Sequence, residues 1–106
     1  MNKVKNIEFN KEDINISNYA KEIISAYSNN ERKIAEYMIN DNIFPSFYPN
    51  ISLDVLINSL KEPEIRILDN NSGVLSYCNH TLDNEHVISL EFKGLFEELY
   101  YLSING

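Results

Sequence analysis

The spacing of apolar residues changes once along this chain, after Pro63, and that change restricts the fold more than any other feature. Before Pro63 the apolar residues recur every three or four positions, as on one face of a helix; after it they alternate, as in a half-buried strand. Helices grouped before strands predict an α+β fold, with N-terminal helices packed on one face of a C-terminal antiparallel β-meander. The 106 residues contain no repeat and no linker, so we expect a single domain over 1–106.

Three helices are predicted before Pro63. They span residues 17–28, 31–43 and 52–61. Ser17 is expected to cap the first helix, and Asn29-Asn30 to separate it from the second. The apolar stripe of the first helix consists of Ala20, Ile23, Ile24 and Tyr27.

An aromatic run, Phe44 to Pro49, lies between the second and third predicted helices. Such a run can fold under the helices or serve as an anchor for a partner. We expect Phe44 and Phe47 in the core, whereas either location is open to Tyr48.

Four strands are predicted after Pro63, and a short edge strand before the first helix. The four are Glu64 to Asp69, Val74 to Cys78, His86 to Phe92 and Glu98 to Ile104, and the edge strand is Lys3 to Phe9. Alternation in the last two strands predicts six inward side chains, namely Ile88, Leu90, Phe92, Tyr100, Leu102 and Ile104. The side chains predicted to point outward are Val87, Ser89, Glu91, Leu99, Tyr101 and Ser103.

The densest polar cluster lies in the loop from Cys78 to His86, which contains the only cysteine and both histidines. Cys78, His80, Asp83, Glu85 and His86 carry thiol, imidazole and carboxylate groups, the ligands that zinc or iron takes in proteins. Their spacing matches no metal motif, however, and the acidic surroundings do not favour a reactive thiolate. We therefore expect no metal, no cofactor and no catalytic residue here, and a loop held by hydrogen bonds.

Charge is distributed unevenly along the chain, whose formal net charge is -7. Residues 51–106 contain nine acidic and three basic side chains, whereas residues 1–50 are almost balanced. A nucleic-acid backbone or an anionic membrane would be repelled by this excess, and a basic protein would be attracted. The alternative is that the acidic surface only keeps the protein soluble.

A docking surface can be predicted in the acidic half. Its carboxylates would steer the approach of a basic partner, and an exposed aromatic residue would hold the complex. The predicted partner-binding residues are Asp83, Glu85, Glu91, Glu97, Glu98 and Tyr101.

The segment from Leu82 to Phe92, together with the ending from Leu99 to Gly106, resembles the ends of small acidic bacterial proteins, some of them of the immunity type. Immunity-type proteins are the partners of polymorphic or contact-dependent toxins. The Asp83-x-Glu85-His86 step before a strand is the most specific part of the likeness. The resemblance implies a single-domain inhibitor that binds a toxin by surface complementarity, with no catalytic set to carry over.

Together these features predict a non-enzymatic, cytoplasmic binding protein, an immunity-type inhibitor of a basic toxin domain. The cytoplasmic location is expected because Cys78 has no intramolecular disulfide partner and the first residues lack the apolar segment of a signal peptide. The alternative is a small metal- or ligand-binding protein, with or without enzymatic activity, that uses the loop from Cys78 to His86. A third reading is a structural or accessory subunit.

Overall fold

The computed structural model describes residues 4–106, which form one five-stranded sheet and three helices. In chain order these are β1 (Asn6–Glu8), α1 (Ile14–Ile39), α2 (Phe44–Phe47), α3 (Leu53–Leu60), β2 (Glu64–Asp69), β3 (Ser72–Tyr77), β4 (Val87–Lys93) and β5 (Glu98–Asn105). The predicted α+β class is confirmed. No helix within residues 4–106 has the length and apolar character that crossing a bilayer requires.

The sheet has its strands in sequence order, from β1 at one edge to β5 at the other. β2 to β5 form the predicted antiparallel meander, and Asn70-Asn71 makes the turn between β2 and β3. β1 occupies an edge as predicted, but it pairs with β2 in parallel, because α1 to α3 connect the two strands. The part of the predicted edge strand at Lys3 lies outside the described residues.

The first two predicted helices are one continuous helix, so the predicted break at Asn29-Asn30 is wrong. Instead of capping a new helix, Asn30 donates its side-chain amide to the carbonyl of Ala26, one turn back, at 2.8 Å. The prediction that Ser17 caps this helix is also wrong. The N-cap is Asp13, whose side chain accepts the backbone amides of Asn15 and Ile16. Burial of one face along 26 residues outweighs the poor helix propensity of two asparagines.

The third predicted helix is confirmed as α3, with Ser52 as its N-cap. α2 is a single turn that the sequence pattern did not predict, and it begins where Asp41 accepts two backbone amides. Phe44 is buried as predicted. Phe47 was expected in the core, but it is 43% exposed, because it packs against the half-buried rings of Tyr48 and His86 at the surface.

The helices and the inner face of the sheet enclose one core. Tyr27 of α1 and Tyr77 of β3 are both buried and share a hydrogen bond of 2.6 Å between their hydroxyls. Phe96, in the hairpin between β4 and β5, packs on Tyr27 and Phe92. Ile24 was predicted on the apolar stripe of α1, but it is 36% exposed, since the stripe is narrower than the sequence suggested.

A β-bulge in β5 changes which side chains face the core. Phe92 pairs with Leu99 and Glu91 with Tyr100, whereas Ser89 pairs with Ser103. Between the last two pairs β5 therefore contains one more residue than β4. Before the bulge, the predicted side-chain orientations are therefore wrong. Leu99, predicted outward, packs against the core, and Tyr100, predicted inward, lies on the outer face with Glu91. After the bulge, the predicted inward orientation of Leu102 and Ile104 is confirmed.

Candidate functional site

The outer face of the sheet carries a row of small polar side chains at its centre. Ser76, Ser89 and Ser103 are paired across β3, β4 and β5, and the hydroxyls of Ser76 and Ser89 are 3.1 Å apart. All three are only half-buried, in contrast to the buried Leu75, Ile88 and Leu90 on the inner face. The outer face is thus open to contact along β3 to β5.

Charge is balanced at one side of this face and not at the other. On the β1–β2 side, Arg66 pairs with Glu8 at 3.6 Å, and Lys5 with Glu64 at 3.9 Å. On the β4–β5 side, neither Glu91 nor Glu98 forms an ion pair with any residue in 4–106. Among residues 4–106, carboxylates without an ion pair therefore lie on β4 and β5, and also at Asp69, the last residue of β2.

Tyr101 is the extra residue of the β5 bulge and, at 74%, the most exposed large hydrophobic residue in the described chain. Its φ of 55° is left-handed, a conformation that costs a bulky residue about 1 kcal/mol or more. Its ring stands at 75° to that of Tyr100, with centroids 4.8 Å apart. The bulge thus presents an aromatic ring to solvent instead of to the core. Asn50, Lys61 and the buried Phe96 also have positive φ.

The hairpin before Tyr101 is held firmly against α1. The hydroxyl of Tyr19 donates to the carbonyl of Gly94 at 2.6 Å, and Phe96 inserts beneath the sheet. The carboxylate of Glu97 accepts the amide of Leu95 at 2.6 Å, so Glu97 has a local structural role besides any role in binding. Within the described residues, no backbone amide donates to the Glu98 carboxylate in this way.

The second candidate site is centred on Asp83, in the loop between β3 and β4. One carboxylate oxygen, Oδ2, accepts hydrogen bonds from the hydroxyl of Tyr48 at 2.7 Å and from Nδ1 of His86 at 2.8 Å. The other, Oδ1, accepts the amides of Glu85 and His86, each at 3.1 Å. These bonds, the one from Tyr48 above all, hold the pKa of Asp83 well below its ordinary value.

The two histidines of the loop have different hydrogen-bonding roles. Nδ1 of His80 accepts the amide of Leu82 at 3.1 Å, so Nε2 must carry the proton that it donates to the carbonyl of His86 at 2.7 Å. The buried His80 therefore holds the loop together through two hydrogen bonds, as predicted. In His86, Nδ1–H donates to Asp83, and Nε2 has no hydrogen bond to residues 4–106.

Cys78 lines the same shallow depression as His80, Asp83 and His86, which has a volume of about 260 Å³. Partial burial raises the pKa of the thiol, and the charge of Glu64 raises it further, so the thiolate is disfavoured. Within residues 4–106, no three His, Cys, Asp or Glu side chains are arranged to hold a metal ion.

The structure divides the predicted partner-binding residues into two groups. Asp83 and Glu85 precede β4, whereas Glu97 and Glu98 follow it, so these two acidic groups are roughly 20 Å apart at the rise of an extended strand of seven residues. Glu91 lies within β4, and Tyr101 lies opposite the middle of β4, because β5 runs back antiparallel.

Three further residues of these sites were not predicted. Tyr100 and Lys93 lie beside Tyr101, but the alternation pattern turned Tyr100 inward and gave Lys93 no role. Tyr48 forms a hydrogen bond with Asp83, which is 35 residues away in the sequence, and no local signal predicts such a pairing.

No protein-family model, curated protein or solved structure matches the chain.

Proposed function

We propose that this protein is a non-enzymatic inhibitor of the immunity type, which binds a basic toxin domain through the β4–β5 side of its outer sheet face. The observation that carries the proposal is Tyr101, an exposed aromatic residue with a left-handed backbone conformation, next to Glu91 and Glu98, which form no ion pair within residues 4–106. Buried aromatic anchors hold protein complexes together, and surrounding charges guide the encounter. Both elements are adjacent here.

The two groups of acidic residues have different roles in this proposal. Glu91, Glu97 and Glu98 surround the anchor and steer the partner. Asp83 and Glu85 precede Val87, which is about 10 Å along β4 from Leu90, the residue opposite Tyr101. Because this distance exceeds the Debye length of about 8 Å at physiological salt, they affect the encounter less. Asp83 is also committed to Tyr48 and His86.

The proposal predicts that a basic toxin domain is encoded beside this protein, and the dissociation rate of their complex is the test. Tyr101→Ala should speed dissociation by a free energy of about 2 kcal/mol, as for an anchor residue. The matched control is Phe47→Ala, which removes an exposed aromatic ring beside His86, before the start of β4, and should leave the rate unchanged. If no such protein binds, or if Phe47→Ala has the larger effect, the proposal is wrong.

A second candidate function, small-ligand binding at the loop, is favoured by the free Nε2 of His86. Asp83 fixes the ring, so Nε2 is available for contact with a ligand beside the depression of about 260 Å³. The test is an NMR screen of small acids, alcohols and amines observed at the His86 ring. A ligand that binds wild type and Tyr101→Ala but not His86→Phe would support this function; a screen without hits would remove it.

A further inference from the structure

We propose that the depression beside Tyr100 and Tyr101 receives an arginine side chain of the partner, and that Lys93 occupies this place in the free protein. The inference rests on the proposed function, because it names the group of a basic partner that is recognised. It also adds a form of regulation, since the free site is partly filled by the protein's own cation.

The depression has the walls that a planar cation requires. Its volume is about 530 Å³, and it is lined by Lys93, Glu97, Glu98, Leu99, Tyr100 and Tyr101. The rings of Tyr100 and Tyr101 meet edge to face at 4.8 Å, so they form a corner of two aromatic surfaces. An aromatic face attracts a cation placed within about 6 Å of its centroid.

A cation already lies at this position. Nζ of Lys93 is 5.7 Å from the centroid of the Tyr100 ring, although Lys93 forms no ion pair with the described residues. Glu98 is its neighbour across the strand pair. The free protein thus shows that this corner accepts a cation, here the ammonium group of its own Lys93.

An arginine fits the corner better than the lysine does. A guanidinium is planar, stacks on an aromatic ring and offers paired N–H donors to a carboxylate, whereas an ammonium is a compact, strongly hydrated charge. Glu91 lies across from Tyr100, and Glu98 across from Lys93, so carboxylates are available on two sides of the ring. A partner arginine would gain both contacts and displace Lys93.

The test is an NMR titration with the probe acetyl-Gly-Arg-Gly-amide, with acetyl-Gly-Lys-Gly-amide and acetyl-Gly-citrulline-Gly-amide for comparison. Because each probe carries only one side chain, its dissociation constant should be in the millimolar range. The arginine probe should bind more tightly than the other two. The side-chain protons of Lys93 next to Nζ should be shifted upfield by the Tyr100 ring in the free protein. That shift should be lost as the arginine probe binds.

Two lysine variants distinguish displacement from overall charge. Lys93→Met should tighten binding of the arginine probe by about threefold, because it removes the competing cation. Lys11→Met removes the same charge from the exposed turn before α1 and should change the affinity little. Tyr101→Ala should weaken binding.

The inference is overturned if arginine and lysine probes bind equally, if neither binds, or if Lys11→Met tightens binding as much as Lys93→Met. If these results occur while the dissociation rate from the partner still depends on Tyr101, the proposed function stands and only the arginine inference fails. If the arginine probe binds but no basic partner does, the corner recognises guanidinium groups, and the proposed function fails.

Discussion

At the scale of single residues, Tyr101 makes a prediction that separates strain from recognition. Asparagine tolerates the left-handed conformation and alanine does not, although both substitutions remove the exposed ring. Tyr101→Asn should therefore be more stable than Tyr101→Ala by about 0.5–1 kcal/mol, measured by urea unfolding. Both should weaken binding of the partner. Equal stability of the two variants would show that the backbone is not strained at this position.

Asp83 makes a prediction about the pH dependence of stability. Its pKa is lowered in the folded protein by hydrogen bonds from Tyr48 and His86, so the unfolded chain takes up a proton first as the pH falls. The stabilisation from Asp83 is complete above its ordinary pKa of 3.8 and is lost as the pH falls through the lower folded value.

The measurement is urea unfolding of wild type and Asp83→Asn at a series of pH values. The stability difference should be constant near neutral pH and should shrink once the solution is more acidic than about pH 4. A difference that does not change with pH would mean that the carboxylate contributes nothing as an anion.

At the scale of elements, the continuity of α1 can be tested at Asn29. Asn29 is an exposed residue in the middle of this helix, so Asn29→Pro should cost about 3 kcal/mol or more by removing a hydrogen bond and clashing with the preceding turn. Asn29→Ala should stabilise the protein by up to about 0.7 kcal/mol, the difference in helix propensity. If Asn29→Pro leaves the stability to thermal or urea unfolding unchanged, the result would support the two separate helices that the sequence suggested.

The contact between α1 and β3 depends on a pair of buried hydroxyls. Tyr27 and Tyr77 bond to each other, and either Tyr→Phe substitution would leave the other hydroxyl without its partner. Each single variant should lose about 1–3 kcal/mol, whereas Tyr27→Phe/Tyr77→Phe should lose much less than the sum. Additive losses in a double-mutant cycle would contradict this pairing.

The elements also show where sequence reasoning succeeds. The change of period at Pro63 predicted the α+β class, and β2 and α3 were located closely, because strong alternation and a serine cap are local signals. The bulge at Tyr101 leaves no such signal, since a one-residue insertion shifts the orientation of neighbours without altering their composition. Leu99 and Tyr100 were therefore assigned to the wrong faces.

At the scale of the whole molecule, the candidate sites were predicted only in part. The acidic half and Tyr101 could be read from composition and from strand alternation. The distribution of the acidic residues along β4, and the hydrogen bond between Asp83 and Tyr48, depend on contacts between distant segments. Cation recognition at Tyr100 could not be predicted while that ring was assigned to the core.

The central claim is that the β4–β5 side of the outer sheet face binds a basic protein. Its most direct test is the association rate with that protein as a function of salt, by stopped flow. Glu91→Gln/Glu98→Gln should slow association by about three- to tenfold at low salt and scarcely at 1 M, where the Debye length is about 3 Å. The control Glu62→Gln/Glu85→Gln removes the same charge from exposed positions outside β4 and β5 and should have little effect. Equal slowing by both pairs, or a rate that ignores salt, would contradict the account.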